Sequence, residues 1–235
     1  LLAIKSMFLN AKQNIMVLFI IIALTFASVF SVVLYYNIAS DKTAFVNLFG
    51  TEPANVMISV KTETDTRKLL GNVEKMDYVR KVNINDFITT KIDGHAVYTN
   101  ITDDYKDFEN NVIYKGRQPK HENEISISWV VSEQIDKGIG DTVEVEYGTE
   151  KVSFLVTGLS QSISNLGQIA ALTMDGMQQL HSDYKGMNLY VYLDGISNKK
   201  FIENVHEQYG NYIVDTLDID KTMESQTGMY TAAVF

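Results

Sequence analysis

The stretch that decides the architecture of this chain is Ile15–Tyr36, which reads IMVLFIIIALTFASVFSVVLYY. No charged residue occurs between Lys12 and Asp41. As an α-helix, this stretch rises about 33 Å, which is enough to cross a hydrocarbon core of about 30 Å. The core helix of a soluble protein would carry a polar face, and this stretch has none. The sequence therefore predicts a transmembrane helix over residues 15–36, with Leu24 near its middle.

The flanks of this helix indicate its orientation. Residues 1–14 carry Lys5 and Lys12 and no acid, whereas the net charge of the whole chain is −9. Basic flanks stay in the cytoplasm, so we expect a cytoplasmic N-terminus and an extracytoplasmic body over residues 37–220. The apolar spacing within residues 1–14 fits either an amphipathic helix on the cytoplasmic surface or the first turns of the span. We favour the amphipathic segment.

A cleaved signal peptide is the competing interpretation of the apolar run. Its apolar region would be about 7–15 residues long and would end in small residues. Here the run is longer, and the bulky Phe30 and Leu34 occupy positions where cleavage needs small side chains. We therefore expect a retained helix. Within it Ala23, Ala27 and Ser31 recur every fourth residue, which fits either a packing face for another helix or ordinary scatter in a single anchor.

Composition limits what the rest of the chain can be. With 13 Tyr, 11 Phe and only 2 Pro, it has core material and is not a disordered stalk. A pI near 4.9 argues against a nucleic-acid partner. The absence of cysteine excludes disulfides, thiolate metal sites and cysteine nucleophiles. Because residues 229–235 become apolar again, we expect residues 220–235 to be a stalk leading to a second transmembrane helix of a longer protein.

Residues 37–84 begin with a connector and continue with the pattern of a βαβ unit. Residues 55–61 alternate as a strand, and residues 64–76 have helical spacing with Thr64 as a candidate N-cap. Residues 78–84 form the second strand. The two strands of such a unit run parallel.

Residues 186–219 repeat this pattern. Residues 188–193 and 212–217 are predicted strands, and the helix between them is capped by Ser197 and ends at Tyr209. Two βαβ units can pair into one layer of helices on a sheet, which predicts an α+β ectodomain behind a single transmembrane helix. The strand order within this layer does not follow from the sequence.

Residues 85–185 differ from both units and indicate a mainly-β inserted subdomain. Asp93-Gly94 is a strong hairpin signal between two strands. A second hairpin is predicted around a loop of three residues, Gly148-Thr149-Glu150. The remaining predicted elements are strands over 124–128 and 169–173, a helix over 129–136 and a helical turn through Met177 and Leu180.

No group of residues has the spacing of a catalytic or metal site. The four histidines match no zinc motif, and the acidic clusters around Asp103 and Asp218 lack the calcium-loop pattern and are interpreted as solvated faces. The segment Gly158–Ser162 lacks the final glycine of a nucleophile elbow. No glycine motif for phosphate binding occurs. We therefore predict no catalytic residue, no cofactor, no metal and a non-enzymatic ectodomain.

One stretch has a distinctive sequence pattern, although its residues indicate no chemical reaction. It comprises residues 114–128, YKGRQPKHENEISIS, followed by GIGDTV at 138–143 and FLVTGL at 154–159. It resembles the extracytoplasmic domain of MacB/FtsX-type permease subunits of ABC transporters. The family pattern is G-R-x-P, E-I-x-I-S, a helix, G-D-x-V and a strand ending in V-x-G. The matching residues here are Gly116, Arg117, Pro119, Glu124, Ile125, Ser128, Gly140, Asp141, Val143, Val156 and Gly158. We expect them to be structural, with Arg117 pairing with Glu124 or capping a carbonyl.

The resemblance implies the permease half of an energy-coupled membrane machine. Its expected partners are a cytoplasmic ABC ATPase subunit, a second permease half in a homo- or heterodimer, and membrane lipid. An extracellular peptide or protein is a further candidate partner. Movement would pass through the span to the ectodomain for mechanotransmission or for export of a peptide, lipid-linked or antimicrobial substrate. The missing cysteines and the extended exit at residues 34–38 favour the cell membrane of a Gram-positive bacterium.

Two other classes of protein share some of these features. A membrane-bound sensor also has an ectodomain between two spans, and it would continue into a cytoplasmic kinase or methyl-accepting region. An anchored surface enzyme or adhesin would need a site that the sequence does not show. The number and type of segments after residue 235 would separate these classes.

Overall fold

The computed structural model describes residues 11–36 and 52–225. The chain divides into two units, of which one comprises residues 1–45 and 225–235 and the other residues 46–224. Within the described residues, the first unit is essentially one helix, whereas the second contains the whole β-sheet.

Helix α1 (Ala11–Tyr35) forms the described part of the first unit. Its residues Lys12–Val33 are long and apolar enough to cross a membrane, as the sequence predicts. Ile15, Leu24 and Tyr36 are each more than half exposed, so these apolar side chains are not part of a protein core. Residues 11–14 of the predicted amphipathic segment continue this helix, and residues 1–10 lie outside the described residues.

The second unit alternates short helices with ten strands. In chain order its elements are β1 (Val56–Val60), α2 (Thr66–Val73), β2 (Val79–Ile92), β3 (His95–Thr102), β4 (Ile113–Gly116), β5 (Glu124–Ser128), α3 (Trp129–Ile135), β6 (Thr142–Tyr147), β7 (Glu150–Ser160), β8 (Ile169–Thr173), α4 (Met174–Leu180), β9 (Asn188–Leu193), α5 (Asn198–Tyr209) and β10 (Ile213–Asp218). A helix over 219–225 follows β10.

Four strands form an antiparallel layer in the order β10-β1-β9-β2. The two strands of each βαβ unit are therefore parallel to each other, and a strand of the other unit lies between them. The two predicted units thus interleave, as in ferredoxin-like split βαβ folds. Helices α2 and α5 bury Leu69, Val73, Phe201 and Val205 in the same core as the inward residues of this layer, which are Val56, Ile58, Ile84, Leu189 and Val191.

The remaining strands close a small barrel. β2 pairs with β3, β3 with β8, β8 with β5, β5 with β7, β7 with β6, and β6 with the end of β2. The barrel closes through residues 91–92 of β2, whereas residues 85–90 pair with β3 alone, and β4 is added outside β7. The barrel interior is mainly apolar, with one buried hydrogen bond between the hydroxyls of Thr90 and Thr99. Its fully buried apolar residues include Ile92, Val97, Ile101, Ile125, Ile127, Val143, Val145, Phe154 and Leu172.

Strand β2 belongs to both the layer and the barrel. Its first half pairs with β9, whereas residues 85–92 pair with β3. The domain boundary predicted at residue 85 therefore falls inside a continuous strand. The fully buried carboxylate of Asp86 lies at this change of partner and accepts hydrogen bonds of 2.7–2.9 Å from Tyr184, Met187 and Asn188. Burial raises the pKa of Asp86, while these donors favour its charged form.

The first predicted hairpin is confirmed and the second is shorter than predicted. Asp93 and Gly94 both have positive φ, 46° and 84°, and link β2 to β3 in a two-residue turn of type I′. In the second hairpin Glu150 pairs directly with Tyr147, so the turn has two residues rather than three. Gly148 at its first position has φ 61°, which suits a type II′ turn.

The helix caps differ in how well the sequence predicts them. Ser197 caps α5 by accepting a hydrogen bond from the backbone N–H of Lys200, as predicted. The N-cap of α2 is Asp65 and not Thr64, because the Asp65 carboxylate accepts from the backbone N–H of Lys68. A carboxylate at this position also interacts favourably with the helix dipole.

Strands β4 and β7 are in contact at two glycines, Gly116 and Gly158, which are register partners. A Cβ atom on Gly158 would lie 2.2 Å from the carbonyl oxygen of Arg117, and one on Gly116 would lie 2.4 Å from that of Thr157. Gly116 also has φ 77°. No other residue fits this crossing without moving the backbone.

We therefore expect Gly158→Ala to destabilise the protein by about 1–3 kcal/mol, because the added methyl group overlaps backbone atoms. Urea unfolding of the detergent-solubilised chain, followed by the fluorescence of its single tryptophan, measures the change. Gly71→Ala is the matched control: it lies in α2 with nothing within 4 Å of the added Cβ and should stabilise the helix by about 0.5–1 kcal/mol. Equal effects of the two substitutions would contradict this account of the glycine crossing.

Candidate functional site

The start of β1 and the end of β10 are joined by a polar cluster, which we call the base network: Asn55, Asn198, Asp218 and Asp220. Asn198 Nδ2 donates to Asp218 Oδ1 at 2.8 Å and to Asp220 Oδ2 at 2.9 Å. Asn55 Nδ2 donates to the same oxygen of Asp220 at 2.9 Å. Hydrogen bonds to charged groups of this kind contribute about 1.5–3 kcal/mol each.

The base network fixes the two ends of the second unit side by side. Val56 is the register partner of Asp218, and the backbone N–H of Ile219 donates to the carbonyl of Asn55 at 3.0 Å. Asp218 also accepts from the backbone N–H of Lys221 in the helix over 219–225. The beginning of β1 and the end of β10 therefore lie at one place, and both are held by the same side chains.

A second anchor lies at Glu52, the first residue of the second described range. Its buried carboxylate accepts hydrogen bonds from the backbone N–H groups of Glu109 and Asn110, at 2.6 and 3.2 Å, and from the hydroxyl of Tyr192. Lys81 Nζ lies 3.8 Å from the centroid of the Tyr192 ring. These contacts hold residues 103–112, which the sequence analysis did not assign, against the open face of the layer.

The residues of the family pattern meet in a turn between β4 and β5. Arg117 donates two hydrogen bonds to the carboxylate of Glu124, one of them 2.7 Å long, and a third to the carbonyl of Gln118. Both predicted partners of Arg117, a carboxylate and a carbonyl, are therefore present. Glu124 also accepts from the backbone N–H groups of Lys120 and His121, and Pro119 is buried in the turn.

These contacts change the titration of Glu124. The paired Arg117 guanidinium, together with the two backbone donors, lowers the pKa of Glu124 from its ordinary 4.5 to about 2. The carboxylate is thus charged at every physiological pH. Its role is to close the turn, because both of its oxygens already accept hydrogen bonds from residues of that turn.

The other residues of the pattern lie in β5, its helix and the following turn. Ile125 is in the barrel core, and Ser128 caps α3 by accepting from the backbone N–H of Val131. Gly140 has φ 96° and donates to the carbonyl of Val156, and Asp141 accepts from the backbone N–H of Gly138. Val143 and Val156 are buried. The structure therefore places these residues in turns and core, and their membership of a family pattern stays a prediction.

The residues predicted to pack α1 against another helix lie on one stripe of it. Ala23 and Ala27 are exposed and Ser31 is half-buried. The described residues contain no second helix that could cross a membrane beside this stripe, so the packing role also stays a prediction.

Within residues 11–36 and 52–225, no group of three or more His, Cys, Asp or Glu side chains is placed to hold a metal ion. His95 and His206 instead contact Gln134 and Thr216. The interpretation of the second acidic cluster as a solvated face is wrong for Asp218, because it is half-buried and hydrogen-bonded in the base network.

The sequence analysis missed Glu52, Asn55 and Asn198 as anchors. An asparagine directly after an N-cap serine and an acid before a strand carry no distinctive spacing. The partners of Glu52 lie 57, 58 and 140 residues away, and Asp220 lies 165 residues from Asn55. The one available signal was the recurrence of aspartate at the end of β10, which the structure shows to be the acceptor side of the base network.

Similar proteins are found by comparing structures but not by comparing sequences. The second unit resembles the extracellular domain of the noncanonic ABC-type transporter YknZ from Gram-positive bacteria, with a TM-score of 0.50 and 12% identity over 69% of this chain and 99% of that one. The chain has a MacB/FtsX-like ectodomain fold. A second similar structure is the periplasmic region of MacB from Actinobacillus actinomycetemcomitans, with a TM-score of 0.49 and 13% identity over 77% and 94% of the two chains. No protein-family model and no curated protein matches the sequence.

We expect Glu124→Gln to lower the free energy of unfolding by about 2 kcal/mol at pH 7, because Arg117 loses its charged partner. Since the pKa of Glu124 is depressed in the folded state, its stabilising effect is complete above about pH 4.5 and is lost as the pH falls to about 2. The difference between wild type and variant should therefore shrink in acid. Urea unfolding between these pH values measures it.

The control for this prediction is Glu144→Gln, which removes an exposed partner of Lys151 and should change stability by less than about 1 kcal/mol. A loss for Glu124→Gln that is independent of pH would contradict the assigned role of the carboxylate.

Proposed function

We propose that this chain is the permease subunit of a MacB/FtsX-type ABC transporter, with an extracytoplasmic domain over residues 37–220. The observation that supports this most is the MacB/FtsX-like fold of the second unit, in a chain that also holds a helix able to cross a membrane. The predicted pairing of Arg117 with Glu124 supports the proposal as a second, weaker observation.

The ectodomain in this proposal couples ATP hydrolysis in the cytoplasm to work outside the membrane, either export or mechanotransmission. Such coupling needs a firm connection between the ectodomain and the segments that lead to the membrane. The base network supplies one, because Asn55 and Asp220 lie next to the chain entry and exit and share hydrogen bonds. The ectodomain can then be moved as one body from its base.

The partners in this proposal are an ABC ATPase subunit, a second permease half and membrane lipid. The stripe of Ala23, Ala27 and Ser31 is the proposed contact of α1 with another helix. The transported compound is a peptide, a lipid-linked molecule or an antimicrobial substance, and an extracellular peptide or protein is a further partner. The proposed location is the cell membrane of a Gram-positive bacterium.

The proposed orientation is tested by cysteine labelling, which is clean because the chain has no cysteine of its own. Thr149→Cys places a thiol in the exposed β6–β7 turn, and Ser6→Cys places one before α1. In intact cells, a membrane-impermeant maleimide should label the first variant and not the second, which should react only after permeabilisation. The reverse pattern would place the ectodomain in the cytoplasm and end the proposal.

The proposed partner is tested by affinity purification of the full-length protein from membranes in mild detergent, followed by mass spectrometry. We expect an ABC ATPase subunit in a stoichiometric amount. A soluble protein carrying only residues 52–225 serves as the control and should not retain the ATPase. Recovery of a kinase or a chemotaxis scaffold instead would favour a sensor and contradict the permease assignment.

A further inference from the structure

A cleft of about 290 Å³ lies where the outer face of the barrel meets the open face of the antiparallel layer. Its lining includes Asn85 and Phe87 of β2, Tyr98 and Asn100 of β3, and Tyr190 of β9. The family pattern and the base network do not use these five residues. We call this feature the aromatic–amide cleft.

One wall of the aromatic–amide cleft is apolar. The rings of Phe87 and Tyr98 stack with their centroids 5.0 Å apart and their planes at 13°. Both rings lie on the outside of the barrel, and 36% and 38% of these residues is exposed. The small residues Ala170 and Ala171 line the cleft near them and leave the space open. Aromatic rings exposed in a concave site favour ligands with a flat apolar face.

The polar atoms beside this wall are both donors and acceptors. Asn100 Nδ2 donates to Asn85 Oδ1 and to the carbonyl of Asp86 at 3.1 Å. Asn85 Nδ2, Asn100 Oδ1 and the hydroxyls of Tyr190 and Ser160 have no hydrogen-bond partner within residues 11–36 and 52–225. Because burial raises the pKa of Tyr190 to about 12, its hydroxyl stays protonated at physiological pH.

The aromatic–amide cleft does not select for charge. Glu52 is the charged residue among those that line it, and both of its carboxylate oxygens already accept hydrogen bonds from Glu109, Asn110 and Tyr192. A cationic ligand would have to break these bonds, and an anionic ligand would find no cation. The ligand that suits the cleft is therefore neutral.

The floor of the cleft also disfavours an extended peptide. Strands β3, β8 and β5 are each paired on both sides here, whereas residues 85–90 of β2 pair with β3 alone. A peptide that binds by adding a strand needs a free sheet edge, and β3, β8 and β5 offer none. Recognition over these three strands therefore uses side chains.

We propose that the aromatic–amide cleft binds a neutral saccharide through one or two of its pyranose rings. A pyranose combines an apolar C–H face, which suits the Phe87–Tyr98 wall, with hydroxyl groups that donate and accept around its rim. Those hydroxyls match the unpaired amide and hydroxyl atoms of Asn85, Asn100 and Tyr190. The cleft volume suits about one or two such rings. This site does not depend on the permease assignment.

The test is a binding measurement on the detergent-solubilised full chain with three neutral trisaccharides: maltotriose, cellotriose and triacetylchitotriose. Saturation-transfer NMR detects the contact and calorimetry gives Kd. We expect at least one of them to bind. Tyr98→Leu, which keeps an apolar side chain but removes the ring, should weaken that binding by about tenfold or more. Tyr190→Phe removes only a hydroxyl and should weaken it by about threefold or more.

The matched control is Tyr114→Leu, which changes an exposed tyrosine of β4 outside the cleft and should leave Kd unchanged. Melting temperatures identify any variant that fails to fold, and Tyr190→Phe, the smallest change, keeps the test valid in that event. Two results would overturn the proposal: no binding of the three sugars up to about 10 mM, or equal Kd values for Tyr98→Leu and Tyr114→Leu. Displacement of a bound sugar by a neutral Gly-Asn-Ser peptide at equal concentration would also overturn it.

Discussion

The continuity of β2 is the constraint on which the fold of the second unit depends. One strand is hydrogen-bonded to β9 in its first half and to β3 in its second, so the layer and the barrel share a backbone. Asp86 lies where the partner changes, and burying its carboxylate without donors would cost several kcal/mol. Its bonds to Tyr184, Met187 and Asn188 therefore fix the returning chain relative to β2. An inserted barrel joined by flexible linkers would lack this constraint.

Three features of the second unit have separate roles around this shared strand. The base network holds the chain entry and exit, and the contacts of Glu52 hold residues 103–112 over the open face of the layer. The aromatic–amide cleft lies beside that segment and faces outward. The base network uses residues apart from the other two features, whereas Glu52 both holds residues 103–112 and lines the cleft.

Elements with local signals could be predicted, and contacts between distant segments could not. Asp93-Gly94 predicts its hairpin because only a few residue types accept positive φ at both turn positions, and Ser197 predicts its helix start. The interleaving of β1 between β9 and β10 depends on pairing between residues such as Val56 and Asp218, for which no local rule exists. The same holds for the site, since Asn55 and Glu52 acquire their roles from partners far along the chain.

The position of its two ends determines how the second unit responds to tension. Strands β1 and β10 are antiparallel, and Asn55 lies opposite Ile219. A force that separates these two ends therefore pulls across the strands, beginning at one end of their row of hydrogen bonds. Hydrogen bonds pulled in this direction break one after another. They would share the force only if the strands were pulled along their length, in shear. The amide of Asn55, which donates to Asp220 across the two chain ends, is the first side-chain link to resist. The mechanical strength of the whole domain therefore rests on a few polar side chains at its rim.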